Sequence, residues 1–391
     1  MSEIEPILRY TVLFCFAIPL FIFVSYGSIL LYYNKIKKGN SQRNPKQDGS
    51  TEFEPTVSIV IPTHNEKSII SKRIENLFAL DYPHSKLEMI FVDDSSDSTP
   101  SIIQGYAKDN PCVHLIRFNE RIGYSPSMIA GVKSAKGEIV VFGDAGSFLD
   151  SQAIKNFAVQ FQDPSVGVVA GADEFLNSNE QMGKSETLYQ KLFNFLRMAE
   201  SKMDSTLYVR GEATAVRSSL VKDLENAFET FDTTTGLFVR QKGYKTIYAP
   251  KVKFYEYAPL THSDRIKQKT IRAANLIKVI FRFRHLMFNR KYGKYGSVVL
   301  PMNFAMLAIT PIAILIGLLL LVPLAFLNLA FSAIIGGVIG SILLISLLLS
   351  RHLVYTFIDF ECSLIKALYE VVIRRKTLDK IEKVESTRRT N

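Results

Sequence analysis

The chain carries one long apolar run near its start, Leu8 to Tyr33, and two more in its last third, Met302 to Phe326 and Leu329 to Leu349. Each is long enough for a helix that crosses a hydrocarbon core of about 30 Å. The first lacks the basic front and small-residue cleavage site of a secretory signal, which predicts a membrane helix in residues 1–34. Glu3 and Glu5 precede it, whereas Lys35, Lys37, Lys38, Arg43 and Lys46 come directly after it. The positive-inside rule therefore places the chain beyond this helix in the cytoplasm. Residues 35–55, rich in Gly, Asn, Ser and Pro, read as a linker.

From Val57 the pattern changes, as short runs VSIVIP, LEMIFVDD, VHLIRF, EIVVFGD and VGVVAG alternate with segments of helical periodicity. Continuous Val and Ile runs suit strands buried on both faces, so residues 56–260 are expected to form an α/β domain with a doubly wound, mostly parallel sheet. YKTIYAP and VKFYEYAP are expected as two additional strands, after a helix near Thr233 to Lys242.

In residues 261–297, Arg265, Lys267, Lys269, Arg272, Lys278, Arg282 and Arg284 alternate with Ile266, Ile271, Leu276, Ile277, Ile280 and Phe281. That spacing predicts a basic amphipathic helix lying among lipid headgroups. Residues 298–350 then form a transmembrane hairpin. Residues 351–391 hold an interfacial helix, His352 to Ile373, and a basic tail with Arg374, Arg375, Lys376, Lys380, Arg388 and Arg389. Asp359, Glu361, Lys366 and Glu370 make an interfacial helix cheaper than a fourth span, and three spans keep the tail on the cytoplasmic side with the α/β domain.

Composition sharpens this picture. The chain has 391 residues, 47% of them hydrophobic, and a formal charge of +10, with the basic residues beside the apolar segments. Membrane lipids are the expected partner of that charge and nucleic acid is not. The cysteines Cys15, Cys112 and Cys362 are too few and too scattered for a disulfide framework or a metal cluster.

Candidate chemistry lies where the predicted strands end. Asp93 and Asp94 follow IFV, Asp144 follows VVFG in a turn with Gly143, Ala145 and Gly146, and Asp232 opens the helix TTTGLFVRQKG. Taken alone, Asp144 is a turn or cap residue and Asp232 an N-cap. Acids collected at the carboxyl edge of a parallel sheet can instead hold a base and ribose, bind a divalent ion on phosphates, and take a proton from an acceptor hydroxyl. There is no GxxxxGK[ST] loop and no GxGxxG fingerprint, which argues against NTPase and dinucleotide chemistry.

VSIVIPTHNE, IFVDDSSDST, the Asp144 turn, and the Asp232 helix followed by QKGYKTIYAP and YEYAP resemble family-2 glycosyltransferases of the GT-A fold, over about residues 55–290. The flanking helices are similar in layout to the hyaluronan and cellulose synthase-like group. The resemblance implies that Pro62, Thr63 and Glu66 line a nucleotide site where Asp93 or Asp94 binds the base, most commonly uracil. It makes Asp144 the first Asp of a DxD motif, which holds Mn²⁺ or Mg²⁺ on the diphosphate. Thr230, Phe231 and Asp232 align with the TED motif, whose Asp is the general base of an inverting transfer.

This chain departs from the family pattern at three places. Gly146 stands at the third DxD position; Arg121, Ile122, Gly123 and Tyr124 replace RxGK; and Lys269, Thr270, Ile271, Arg272 and Ala273 occupy the QxxRW register, with Gln268 one place early. Lys269 and Arg272 remain the cations expected on the acceptor or diphosphate side, whereas the aromatic platform is missing. His64, Arg217 and Glu256 are left without a role.

The function expected from this is a membrane-bound inverting transferase, cytoplasmic in its catalytic domain, that moves a sugar from a nucleotide-sugar donor such as a UDP-hexose to a lipid-linked or glycan acceptor. Alternatives within the fold are a polyprenyl-phosphate sugar synthase and a processive polysaccharide synthase. The alternative of another class is an inactive membrane scaffold, suggested by Gly146, Tyr124 and Ala273.

Overall fold

The computed structural model describes residues 3–36, 53–225 and 230–373; most of the expected linker, with Lys37, Lys38, Arg43 and Lys46, and the basic tail 374–391 lie outside them. Strands β1 (Val57–Thr63), β2 (Leu87–Asp93), β3 (Val113–Arg117) and β4 (Ile139–Phe142) are joined by helices α2 (Ile70–Phe78), α3 (Thr99–Asp109) and α4 (Tyr124–Ser134). These four strands pair in parallel, with β1 between β2 and β4. Strand β1 shows why the apolar runs are continuous. Ile59 and Ile61 face Ile70, Ile74 and Leu77 of α2, whereas Val60 faces Met128 and Val132 of α4. Alternate residues thus enter two different cores, and both need to be apolar.

The sheet continues through β5 (Phe148–Leu149), helix α5 (Ala153–Gln160), β6 (Val166–Phe175), helix α6 (Gln181–Met203), β7 (Thr214–Arg217), helix α7 (Phe231–Gln241) and β8 (Lys245–Glu256). Its strand order is β3-β2-β1-β4-β7-β6-β8-β5. The sheet is mostly parallel, as expected, with two strands running the other way: β7 is antiparallel between β4 and β6, and β5 pairs antiparallel with β8, so the sheet is mixed. Strand β7, TAVR, offers only Ala215 and Val216 as an apolar run, too short to be read from sequence. YKTIYAP and VKFYEYAP are also a single strand, β8, whose pairing with β6 shifts register on the way.

Among the described residues, three helices are long and apolar enough to cross a membrane: Ile4–Lys35 within α1 (Ile4–Ile36), Tyr295–Leu327, and Leu329–Leu348. The second runs through α9 (Leu300–Phe304) and α10 (Thr310–Leu327), with π-helical turns at Tyr295–Val299 and Ala305–Ile309. Asn328, between the second and third, donates from Nδ2 to Glu5 Oε1 at 2.8 Å. That bond puts the start of the first apolar helix beside the turn of the hairpin.

Two of the expected elements differ. The third span does not stop before an interfacial helix but continues as one helix, α11 (Leu329–Leu368). The basic helix α8 (His262–Arg282) does not offer all its cations to headgroups either. Arg265 is buried in ion pairs with Glu186 of α6 and Asp359 of α11, and His262 Nε2 lies 3.0 Å from Asp359. Asp359, one of the acids that argued against a fourth span, thus has its partners on α8.

Candidate active site

The parallel strands deliver their carboxyl ends to one edge of the sheet, where Thr63, Asp93 and the Asp144 turn meet. Because β7 runs the other way, the loop before it, with Arg210, Gly211 and Glu212, reaches the same edge; Thr214 is opposite Phe142. Helix α7 starts there as well. Phe231, its first residue, packs edge-on against Phe142 at 4.9 Å between ring centroids, and so brings the start of α7 to the end of β4. Asp144 and Asp232, 88 positions apart in the sequence, share a site through that contact.

On the nucleotide side, Asp93 is wholly buried and fully engaged. Thr63 Oγ1 and Ser95 Oγ donate to Oδ2 at 2.7 and 2.6 Å, the Ser95 amide donates to Oδ1 at 3.1 Å, and Arg117 forms an ion pair with it. A carboxylate with its acceptor positions filled in this way builds the loop instead of binding a base. Asp94 is held by His64 Nδ1 at 2.8 Å and by the amides of Ile122 and Gly123 at 2.9 and 3.1 Å. It ties the loop after β2 to the start of α4. Pro62 is buried in β1, and the Glu66 amide donates to Thr99 Oγ1 at 2.8 Å. His64, left without a role by the sequence, belongs to this loop scaffold.

Asp144 is half-buried, and the Tyr124 hydroxyl donates to it. Burial and the neighbouring carboxylates Asp144, Asp232 and Glu212 hold that phenol well above its ordinary pKa, so it is a hydrogen-bond donor throughout the physiological range. Asp232 is not the N-cap that its isolated position suggested. Thr230 caps α7, accepting from the Thr233 amide at 3.3 Å, and Asp232 sits in the first turn. Its Oδ1 accepts from Thr230 Oγ1 and the Thr233 amide, both at 2.7 Å; among the described residues no hydrogen bond reaches Oδ2. Burial, reinforced by Glu212, raises its pKa above the usual carboxylate value. An acceptor oxygen left free on a carboxyl of raised pKa is what a general base needs.

Gly211 marks the centre of this arrangement. A Cβ there would lie 2.6 Å from the Tyr124 hydroxyl and 3.7 Å from Asp232 Oδ2. Gly211→Ala is accordingly expected to push the phenol off Asp144 and lower kcat/KM about tenfold, the loss of one oriented hydrogen bond. Steady-state kinetics on Gly211→Ala, Tyr124→Phe and the double variant check this. The two changes should be far from additive, since both remove the same contact.

Behind the site, Arg210 bonds Glu212, Glu256 and Asp173 at 3.2, 2.6 and 3.2 Å. Burial lifts Glu256 to about 8, against the pull of Arg210. Of the two cations expected from α8, only Arg272 reaches this cluster, 3.3 Å from Glu212. Lys269 is turned away, as its ammonium lies 3.1 Å from Glu186 and over the Tyr189 ring at 3.8 Å. One helical turn after Arg265, it falls on the face covered by α6 and α11, and that placement removes it as a diphosphate ligand. Ala273 is buried, so no ring at that position offers a platform for sugar.

The donor set for a divalent ion is narrow. Among the described residues no three His, Cys, Asp or Glu side chains gather, and a Cβ on Gly146 would meet open space. One carboxylate beside open space fits a hard ion whose remaining ligands are diphosphate oxygens and water, a common mode for Mg²⁺ on phosphates. Asp144 would be the protein ligand.

Residues 58–224 match the family model described as glycosyl transferase family 2. They are a family-2 glycosyltransferase domain. Poly-β-1,6-N-acetyl-D-glucosamine synthase of Staphylococcus aureus is 25% identical to this chain over 279 residues, 69% of this chain and 66% of the synthase. The Staphylococcus epidermidis synthase is 23% identical over 270 residues, 68% of this chain and 65% of that protein. The chain therefore spans just under two thirds of the length of these curated relatives. Among solved structures, mannosyltransferase PcManGT from Pyrobaculum calidifontis, in complex with GDP-Man and Mn²⁺, superposes with a TM-score of 0.77 at 22% identity. It covers 94% of this chain and 100% of its own, which establishes a shared GT-A fold.

Arg73 on α2, Arg117 on β3 and the Arg210 to Glu212 loop lie at this edge with no sequence motif to announce them. Arg73 did leave a signal, since Ile70, Arg73, Ile74 and Leu77 form the buried stripe of α2 with one cation in it.

Proposed function

We propose that the protein is a membrane-bound inverting glycosyltransferase that takes a sugar from a nucleotide-sugar donor and adds it to a glycan or lipid-linked acceptor on the cytoplasmic face. The observation that carries this reading is the free Oδ2 of Asp232, held across Gly211 from the Tyr124 hydroxyl that binds Asp144. Asp232 takes the proton of the attacking acceptor hydroxyl. Thr230 and the Thr233 amide hold its other oxygen and fix its orientation, and Tyr124 holds Asp144 toward the donor. A Mn²⁺ or Mg²⁺ ion on Asp144 would offset the charge gathering on the departing diphosphate. The reading is supported by the family-2 domain, by relatives that are polysaccharide synthases, and by a structural neighbour holding GDP-Man and Mn²⁺.

The donor base, UDP or GDP, separates the two kinds of relative, and product length separates single transfer from polymerisation. The buried Ala273, with no ring to stack on a sugar, favours one or a few transfers over a long polymer. Membranes carrying the protein, incubated with labelled UDP- and GDP-sugars, should yield a single glycolipid or short glycan from one donor. A ladder of long polymer would support the processive alternative, and no nucleotide release from any donor would support the inactive scaffold.

A further inference from the structure

Beneath the Asp144 turn lies a cation that the mechanism above does not use. Arg73 of α2 is fully buried; its Nη1 donates to Asn76 Oδ1 at 2.7 Å, whereas Nε and Nη2 have no hydrogen-bond partner among the described residues. Asn76 in turn exchanges hydrogen bonds with the backbone of Leu149, at 2.9 and 3.0 Å, which fastens this part of α2 to the strand that follows the turn. The guanidinium lies close to the backbone of residue 143, where a Cβ would be 2.8 Å from Nη2 and 4.0 Å from Cζ and would make it shift. The residue before Asp144 therefore gives way to a positive charge. Arg73 and Asp144 attract each other through the buried interior of the turn.

A buried, incompletely bonded arginine is costly, and a nonpolar side chain on the apolar stripe of α2 would pack there at less cost. Its position gives it a use. Two residues past Asp144 the second acid of the motif is replaced by Gly146, and among the described residues no three metal-binding side chains gather there. We propose that Arg73 supplies, from inside the fold, part of the positive charge that the donor's diphosphate requires, so that donor binding depends on the divalent ion less steeply than a site with two metal-binding carboxylates would. This rests on the donor reading above. The charge acts through low-dielectric protein without touching the diphosphate, which makes Arg73 a positioning residue with an electrostatic reach.

The sign of the effect separates charge from architecture. Removing the cation should weaken nucleotide binding most when no metal is present, and should relieve its repulsion of a metal ion on Asp144. A mere packing defect would weaken binding equally with and without metal. The test is titration calorimetry of UDP and GDP against the full-length protein in detergent, with Mn²⁺ and with EDTA, read as the ratio of the two affinities. For Arg73→Met that ratio should rise roughly tenfold over wild type, mainly by loss of metal-free binding, whereas Arg73→Lys should stay within about threefold. If Arg73→Met does not fold, Gly143→Ala, which displaces the guanidinium without removing it, should raise the ratio in the same direction. An unchanged ratio, or equal losses in both conditions, would overturn the role of Arg73 and leave the donor reading standing. Absence of binding by folded wild-type protein, with either nucleotide in either condition, would overturn both.

Discussion

Replacing Asp232 by asparagine should lower the transfer rate roughly 10²–10⁴-fold, the usual contribution of a general base. Nucleoside diphosphate affinity should stay within about threefold, because the lost function is needed only as the acceptor attacks. Asparagine can keep the Oδ1 bonds from Thr230 and the Thr233 amide, so the α7 start should survive and thermal melting should hardly move. The pH profile gives an independent check. The base must be ionised to act, so kcat/KM should fall as pH drops through a value above the ordinary carboxylate range. The charges facing Asp232 are Glu212 and Arg210, with the Tyr124 hydroxyl also close by. Removing the Glu212 charge with Glu212→Gln should therefore move that acid limb to lower pH. An Asp232→Asn enzyme with full transfer activity would show that the proton goes elsewhere, as expected for an acceptor already ionised, such as a polyprenyl phosphate.

The second large effect is expected at Glu200, where the catalytic domain meets the membrane helices. Its Oε1 accepts from Tyr26 of α1 at 2.5 Å and from Asn303 of α9 at 2.6 Å; its Oε2 accepts from Thr206 Oγ1 at 2.7 Å and the Leu207 amide at 3.2 Å. One carboxylate thus joins two membrane helices to α6 and to the loop leading toward the site. Glu200→Ala leaves these buried donors without an acceptor, at a cost of about 3 kcal/mol or more. A fall of several degrees in the melting temperature in detergent should accompany loss of activity. Glu200→Gln, which keeps an acceptor oxygen, should be milder. Burial raises the Glu200 pKa, so the folded state holds its proton more tightly than the unfolded chain does. Stability should then fall as pH rises from the ordinary carboxylate value to the raised one, and Glu200→Gln should abolish that slope.

Much of this protein comes from local pattern. The apolar runs are read directly because a bilayer or a two-faced sheet demands uninterrupted hydrophobicity, and strands β1 to β4 end where the sequence says they should. The strand-end acids are legible for the same reason, since the carboxyl edge of a parallel sheet is fixed once the strands are. Their roles are a different matter. Asp93 and Asp94 look alike in the sequence, yet one is sealed by Thr63, Ser95 and Arg117 and the other latches His64 and the start of α4. Lys269 and Arg272 lie three residues apart on one helix, and only packing against α6 and α11 turns the first inward while the second reaches Glu212. The antiparallel turn of β7, the Phe142–Phe231 contact that joins Asp144 to Asp232, and the guanidinium seated against Gly143 all depend on residues far apart in the chain. Periodicity reports which side of an element is buried, but what it is buried against is a long-range property. In this chain the sequence determined the apolar helices, the strands and the candidate acids, and the tertiary structure decided which of those acids is enclosed by hydrogen bonds, as Asp93 is, and which keeps an oxygen unbonded among the described residues, as Asp232 does.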